Sequence, residues 1–153
     1  MDTTFEADTP YHHEHPSALA IYCSDGRFTR AVEELLREVG HERLDTLTMP
    51  GGPALLNQLS ASYAEADAVK KAAGFLIHGH AIIEVVLLAH AGCGYYRARR
   101  AHDTPEQIKA RQLEDLRVAA RTLRKVEPAL AVRLYYADAV GARVRFEPVA
   151  DEP

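Results

Sequence analysis

The sequence predicts an α/β domain: an open, mainly parallel sheet of about four strands, flanked by helices, with a C-terminal antiparallel edge strand. Three observations carry that prediction. Short apolar runs alternate along the chain with stretches of helical periodicity, which is the order that winds a parallel sheet. One run, Ile82 to Ala89, is almost continuously apolar and rich in β-branched residues, as a central strand covered on both faces requires. Near the C-terminus, two alternating segments are separated by a short turn around Gly141, which reads as a hairpin at the sheet edge.

Each element has its own local reason. Ala18 to Tyr22 is a short apolar run and reads as the first, buried strand. Phe28, Ala31, Val32, Leu35, Leu36 and Val39 then share one helical face, and Gly40 supplies the left-handed residue that commonly ends a helix. Leu44 to Thr48 reads as a second strand, closed by the rigid turn Met49-Pro50-Gly51-Gly52-Pro53. Ala61, Ala64, Ala68, Ala72 and Leu76 define a helical face small enough to pack closely on a sheet. His78-Gly79-His80 ends that helix, where histidine is favoured by the dipole. After the central strand, Thr104, Pro105 and Gln107 form the start signal of a helix in which Ile108, Leu113, Leu116, Ala120 and Leu123 make the apolar face, up to about Val126. Leu130, Val132, Leu134 and Tyr136 alternate, as do Val144 and Phe146 across the turn.

At 153 residues the chain suits one domain, residues 18–150, with residues 1–17 as a loose N-terminal arm. Its net charge of −4 argues against nucleic acid or an anionic membrane surface as a partner. No apolar run approaches the roughly 20 residues that span a bilayer, and the polar, acidic stretch Met1 to Pro10 lacks a signal-peptide layout. The expected setting is cytoplasmic and reducing, where two cysteines point to metal or catalysis rather than a disulfide. The histidines of Tyr11-His12-His13-Glu14-His15 read as a solvated polar tail.

Those two cysteines fall in two places that strands deliver. Cys23-Ser24-Asp25-Gly26-Arg27 is the turn between the first strand and the first helix, and His90-Ala91-Gly92-Cys93-Gly94 follows the central strand. If the second and third strands flank the first, both turns hang from the C-terminal ends of neighbouring strands, where open α/β sheets place their ligands. Two thiols and an imidazole make a zinc set with room for a fourth ligand. The spacing Cys23 to Arg27 is too short for the phosphate loop of a thiol phosphatase, and the glycines near Gly51 lack the phosphate-binding pattern.

With its C-x-D-x-R and H-x-x-C motifs, the chain resembles the β-class carbonic anhydrases over roughly residues 18–137. The resemblance implies zinc (Zn2+) held by Cys23, His90 and Cys93, with water, hydroxide or, in a closed form, the carboxylate of Asp25 in the fourth position. It also implies that Asp25 pairs with Arg27, orients the hydroxide and is kept off the metal by the guanidinium. Gly51, Gly52 and Gly94 are the expected backbone lining of the substrate pocket. Members usually carry an Arg-Asn-Ala-Gly-Asn-like segment where this chain has Thr48 to Pro53. The chain has no tryptophan, so the accessory bicarbonate site of some members has no counterpart in its usual form.

The implied activity is reversible hydration of CO2 to bicarbonate, in a homodimer or a multiple of it that uses the smooth face bearing Ala61, Ala64 and Ala68. Two other functions fit the same residues. One is hydrolysis of a CO2 analogue, carbonyl sulfide or carbon disulfide, at the same zinc. The other is a non-catalytic zinc-binding regulatory protein. Retention of Asp25 and Arg27, which a structural zinc does not require, favours the enzymes.

Overall fold

A computed structural model of the chain describes residues 4–152. Residues 1–3, part of the expected arm, lie outside the described residues. The elements are β1 (Ala18–Cys23), α1 (Gly26–Glu38), β2 (Asp45–Met49), a 3-10 helix (Gly52–Leu56), α2 (Tyr63–Gly79), β3 (Glu84–His90), α3 (Gly94–Arg99), α4 (Pro105–Val126), β4 (Ala131–Val140) and β5 (Arg143–Pro148). Among the described residues the strands form one five-stranded sheet in the order β2-β1-β3-β4-β5. The first four strands run parallel, and β5 pairs antiparallel with β4 across the turn where Gly141 takes a φ of 60°. The parallel sheet and its antiparallel C-terminal edge are those expected from the sequence.

Side-chain alternation on the strands sorts the core into two layers. Leu19, Ile21, Val85, Leu87, Leu134 and Tyr136 point to one face, covered by α2, α4 and the 3-10 helix. Ala20, Tyr22, Val86, Leu88 and Ala137 point to the other, covered by Phe28, Val32 and Leu36 of α1. Every residue of β3 is buried, as its apolar composition requires. The charged exception, Glu84, sits at the strand start between His41 Nε2 at 2.5 Å and Arg133. Gly40 does take a left-handed φ, of 101°, after α1, and Thr104 and Gln107 make the reciprocal cap of α4.

Helix α2 departs from the sequence reading. Its sheet-facing stripe is Ala66, Val69, Ala73 and Ile77, whereas Ala64 and Ala68 are exposed. Two stripes compete on this helix, and the one carrying Val69 and Ile77 removes more apolar area from water, so it wins the core. A second addition is α3, six residues between the two predicted elements. No helix among the described residues is long and apolar enough to cross a membrane.

Residues 4–17 carry neither helix nor strand, yet the end of the arm is pinned. Arg43 Nη1 donates to the Glu14 carbonyl at 2.7 Å, and the His15 ring stacks on His80 at 3.8 Å between centroids.

Candidate metal centre

Because β1 lies between β2 and β3, its two crossovers leave on opposite sides: α1 covers one face and α2 the other. The crevice at this reversal opens at the strands' C-terminal ends. Cys23 ends β1 and His90 ends β3, on adjacent strands, and the tight turn after His90 returns Cys93 to them. Only Gly92 in that turn needs a left-handed φ, 68°, while Gly94 is an ordinary first residue of α3. The two sulfurs lie 3.9 Å apart. One ligand atom from each of Cys23, His90 and Cys93 falls within 4.8 Å of the others, the one such group of three or more among the described residues.

The imidazole is set for coordination. His90 is buried, and its Nδ1 lies 2.8 Å from the Ala91 carbonyl. A carbonyl only accepts, so Nδ1 carries the proton and Nε2 presents its lone pair. That Nε2 is buried without a hydrogen-bond partner among the described residues. A buried, unpaired acceptor beside two sulfurs fits a metal, and two thiolates with an imidazole are a donor set of the zinc kind. The ring is packed against Phe28, with centroids 4.4 Å apart.

The two sulfurs share a hydrogen bond and so titrate as a pair. The Cys23 thiol is pulled down, first by the hydrogen bond it shares with Cys93, then by His90 and by the backbone at Gly51 and Asp25, against the opposing effect of burial. Cys93 is pushed up, because it holds the proton the pair shares and because it is buried, although the N–H groups of Tyr96 and Tyr95 at the start of α3 work the other way. Burial pulls His90 down, but the Cys23 sulfur and the Ala91 carbonyl outweigh it and leave the imidazole raised.

The turn after β2 serves the same end. Gly51, at a φ of 85°, lies where a Cβ would come within 2.7 Å of the Tyr95 ring. At Gly52, with a φ of 49°, a Cβ would sit 2.6 Å from the Tyr22 carbonyl carbon and 2.7 Å from the Cys23 nitrogen. These are backbone atoms of the strand that carries Cys23, and they cannot swing away. Gly52→Ala is therefore expected to destabilise the fold by about 2–4 kcal/mol, combining left-handed strain with overpacking, as a denaturant titration will read.

Asp25 caps α1, accepting the Arg27 N–H at 3.1 Å. The Arg27 guanidinium grips the same carboxylate, Nε on Oδ1 at 2.9 Å and Nη2 on Oδ2 at 2.5 Å. This fork holds the Asp25 carboxyl down to about 2, well below the usual carboxylate range. Asp25 Oδ2 stands 4.0 Å from His90 Nε2, too far for a hydrogen bond, so the carboxylate borders the Cys-His-Cys group while remaining engaged by Arg27.

Other histidines lie elsewhere. His78 and His80 close α2 at the opposite end of the sheet, where His80 Nδ1 pairs with Asp45 at 2.6 Å. The sequence reading missed a buried polar layer on α4. Gln112 Nε2 donates to the His90 carbonyl at 2.7 Å, and Asp115 accepts from Tyr96, Asn57 and Ser60. Burial pushes the Asp115 carboxyl up, against the hydrogen bonds it receives. The available signal was position: Gln112 and Asp115 fall on the same helical stripe as Ile108, Leu116 and Leu123, polar residues where apolar ones are expected.

A family model described as "Putative carbonic anhydrase" matches residues 13–149. The chain belongs to this carbonic anhydrase family. Solved structures share the fold. The β-carbonic anhydrase CafA of the fungal pathogen Aspergillus fumigatus superposes with a TM-score of 0.57 at 17% identity, covering 92% of this chain and 78% of that one. The β-carbonic anhydrase CcaA gives 0.59 at 15%, over 91% and 79%. A tetrameric β-carbonic anhydrase of Sordaria macrospora gives 0.54 at 15%, over 90% and 84%. No curated protein matches the sequence. Within the carbonic anhydrase family this chain is a small, divergent member of the β-type fold.

Proposed function

We propose that the protein is a zinc enzyme that reversibly hydrates CO2 to bicarbonate, with Cys23, His90 and Cys93 as the metal ligands. The observation that carries this reading is the Asp25–Arg27 pair, whose carboxylate stands 4.0 Å from the unpaired Nε2 of His90. Zinc in this set would supply acidification of water, from a pKa of 15.7 to about 7, so that hydroxide is available near neutrality.

The chain's own residues do the rest. Asp25 stays ionised and accepts a hydrogen bond from the attacking oxygen, fixing the direction of its lone pair. Arg27 holds that carboxylate in place through its fork and keeps it from turning toward the ligand group. Phe28 covers one side of His90 and shields it from water. Gly51 and Gly52 serve the pocket as backbone, which leaves a site wall without polar side chains, suited to a small apolar substrate. The test is a CO2 hydration assay on protein of measured zinc content. Zinc-loaded protein with no rate above buffer would reject turnover.

A zinc-stabilised protein without turnover is the second reading. It is favoured by one observation: Met49 to Pro53 offers backbone to Cys23 and no polar side chain to a substrate.

Assembly belongs to the same proposal. The tetrameric Sordaria macrospora relative supports a homodimer or a multiple of it, as do the exposed Leu59, Tyr63, Ala64 and Ala68 along the start of α2. Sedimentation at micromolar concentration is expected to give at least twice the 16.9 kDa chain mass. A strict monomer would reject this.

A further inference from the structure

Helix α4 contributes no metal ligand, yet two of its side chains reach the segments that do. Gln112 and Asp115 are each 1% exposed, three residues apart on the helix face turned to the sheet. Gln112 Nε2 donates to the main-chain carbonyl of His90 at 2.7 Å, while its Oε1 has no partner among the described residues. Asp115 gathers three donors: Tyr96 Oη at 2.6 Å, Asn57 Nδ2 at 2.7 Å and Ser60 Oγ at 2.8 Å. Tyr96 stands three residues after Cys93, one turn into α3, and packs with it and Ala54 in one buried cluster. Asn57 and Ser60 follow the 3-10 helix Gly52–Leu56, whose Gly52 packs closely on the Cys23 nitrogen and whose Ala54 packs with Cys93 and Cys23. Tyr95, which packs on Gly51, adds a hydrogen bond to the Ser60 carbonyl at 2.7 Å.

We infer that Gln112 and Asp115 are positioning residues for the metal site: Gln112 fixes the His90 main chain, and Asp115 fixes Cys93 through Tyr96 and the Cys23 cradle through the 57–60 loop. The inference rests on the zinc reading above. A buried amide with one end unpaired, and a carboxylate buried among neutral donors, are poor choices for packing alone, where an apolar side chain of similar volume avoids both penalties. Their partners explain them. Gln112 ends on the His90 main chain, and Asp115 ends on Tyr96, one turn from Cys93, and on the loop that follows the 3-10 helix packed against Cys23, and such supports set ligand orientation and metal affinity.

Zinc affinity, measured by competition with a chromophoric chelator, and the visible ligand-field spectrum of the cobalt(II)-substituted protein test this. Gln112→Met keeps the volume and removes the donor; Asp115→Leu empties the acceptor. Each is expected to weaken zinc binding by about 10- to 100-fold and to shift or broaden the cobalt bands. Asp115→Asn is the rescuing variant. Its Oδ1 still accepts from Asn57 and Ser60, and its amide donates to a Tyr96 hydroxyl that has turned to accept, so parental affinity and spectrum are expected. Should Asp115→Leu fail to fold, Tyr96→Phe removes the α3 bond alone and is expected to weaken zinc binding in the same direction. Should Gln112→Met fail, Gln112→Leu serves for it, with the same loss expected.

Variants that bind zinc within about twofold of the parent, with an unchanged cobalt spectrum, would overturn the inference. So would an Asp115→Asn variant as weak as Asp115→Leu, because the charge rather than the geometry would then matter. A parent protein that takes up no zinc would instead reject the metal reading, and this inference with it.

Discussion

Cys23→Ser and Cys93→Ser are each expected to abolish the zinc binding proposed above. Protein purified without added zinc is expected to carry about one equivalent per chain, and each variant less than about a tenth of that, by elemental analysis. Serine keeps the size of the side chain but offers a hydroxyl that stays protonated at neutral pH, where the site supplies a thiolate. The arrangement has no slack to replace it: a single sulfur from each turn meets the single unpaired nitrogen of His90. His90→Ala is expected to behave likewise. Full zinc content in both cysteine variants would refute the ligand assignment.

The second large effect separates catalyst from scaffold. Asp25→Asn should keep zinc and lose CO2 hydration by about tenfold or more, since a positioned proton acceptor contributes on that scale or above it. Arg27→Ala should also keep zinc and lose activity, because the carboxylate is then free to turn toward the ligand group 4.0 Å away. The same variant has a signature independent of turnover. In zinc-free protein the Asp25 carboxyl should rise from about 2 toward the ordinary value near 3.9, read from its carboxyl carbon in an NMR titration. With the folded-state value depressed, the pair's contribution to folding is complete above the unfolded carboxylate's pKa and is lost as pH falls through about 2. Across neutral pH it is constant, so Asp25 stays charged there and a rise of activity with pH is expected to come from water acidified by zinc. Parental rates in both variants at equal zinc would place the non-catalytic reading first.

Much of this was legible in the chain because it is locally encoded. The Thr104-Pro105-Gln107 start, the Gly40 stop and the apolar run into His90 each carry their own geometry, and the structure realises all three. The Cys23 and Cys93 turns were legible for a different reason: two cysteines in 153 residues leave few ways to be placed. Competition between surfaces was less legible. Two faces of α2 satisfy the same period, and only burial against the sheet selects Val69 and Ile77 over Ala64 and Ala68. Gln112 and Asp115 escaped because their partners, a His90 carbonyl and a Tyr96 hydroxyl, lie 22 and 19 residues away and follow no pattern of spacing.

The pairing of β1 with β3 also fixes an order of events during synthesis. Cys23 and Cys93 are 70 residues apart, so at about 5–20 residues per second the second sulfur leaves the ribosome roughly 4–14 seconds after the first. Until β3 docks beside β1, Cys23 is a lone thiol next to a carboxylate. The apolar layers on both faces of the sheet must therefore bring the two halves of the chain together before the site exists. On the zinc reading proposed above, the three ligands meet only once β3 has docked beside β1, so the metal would be captured late, after the sheet has paired.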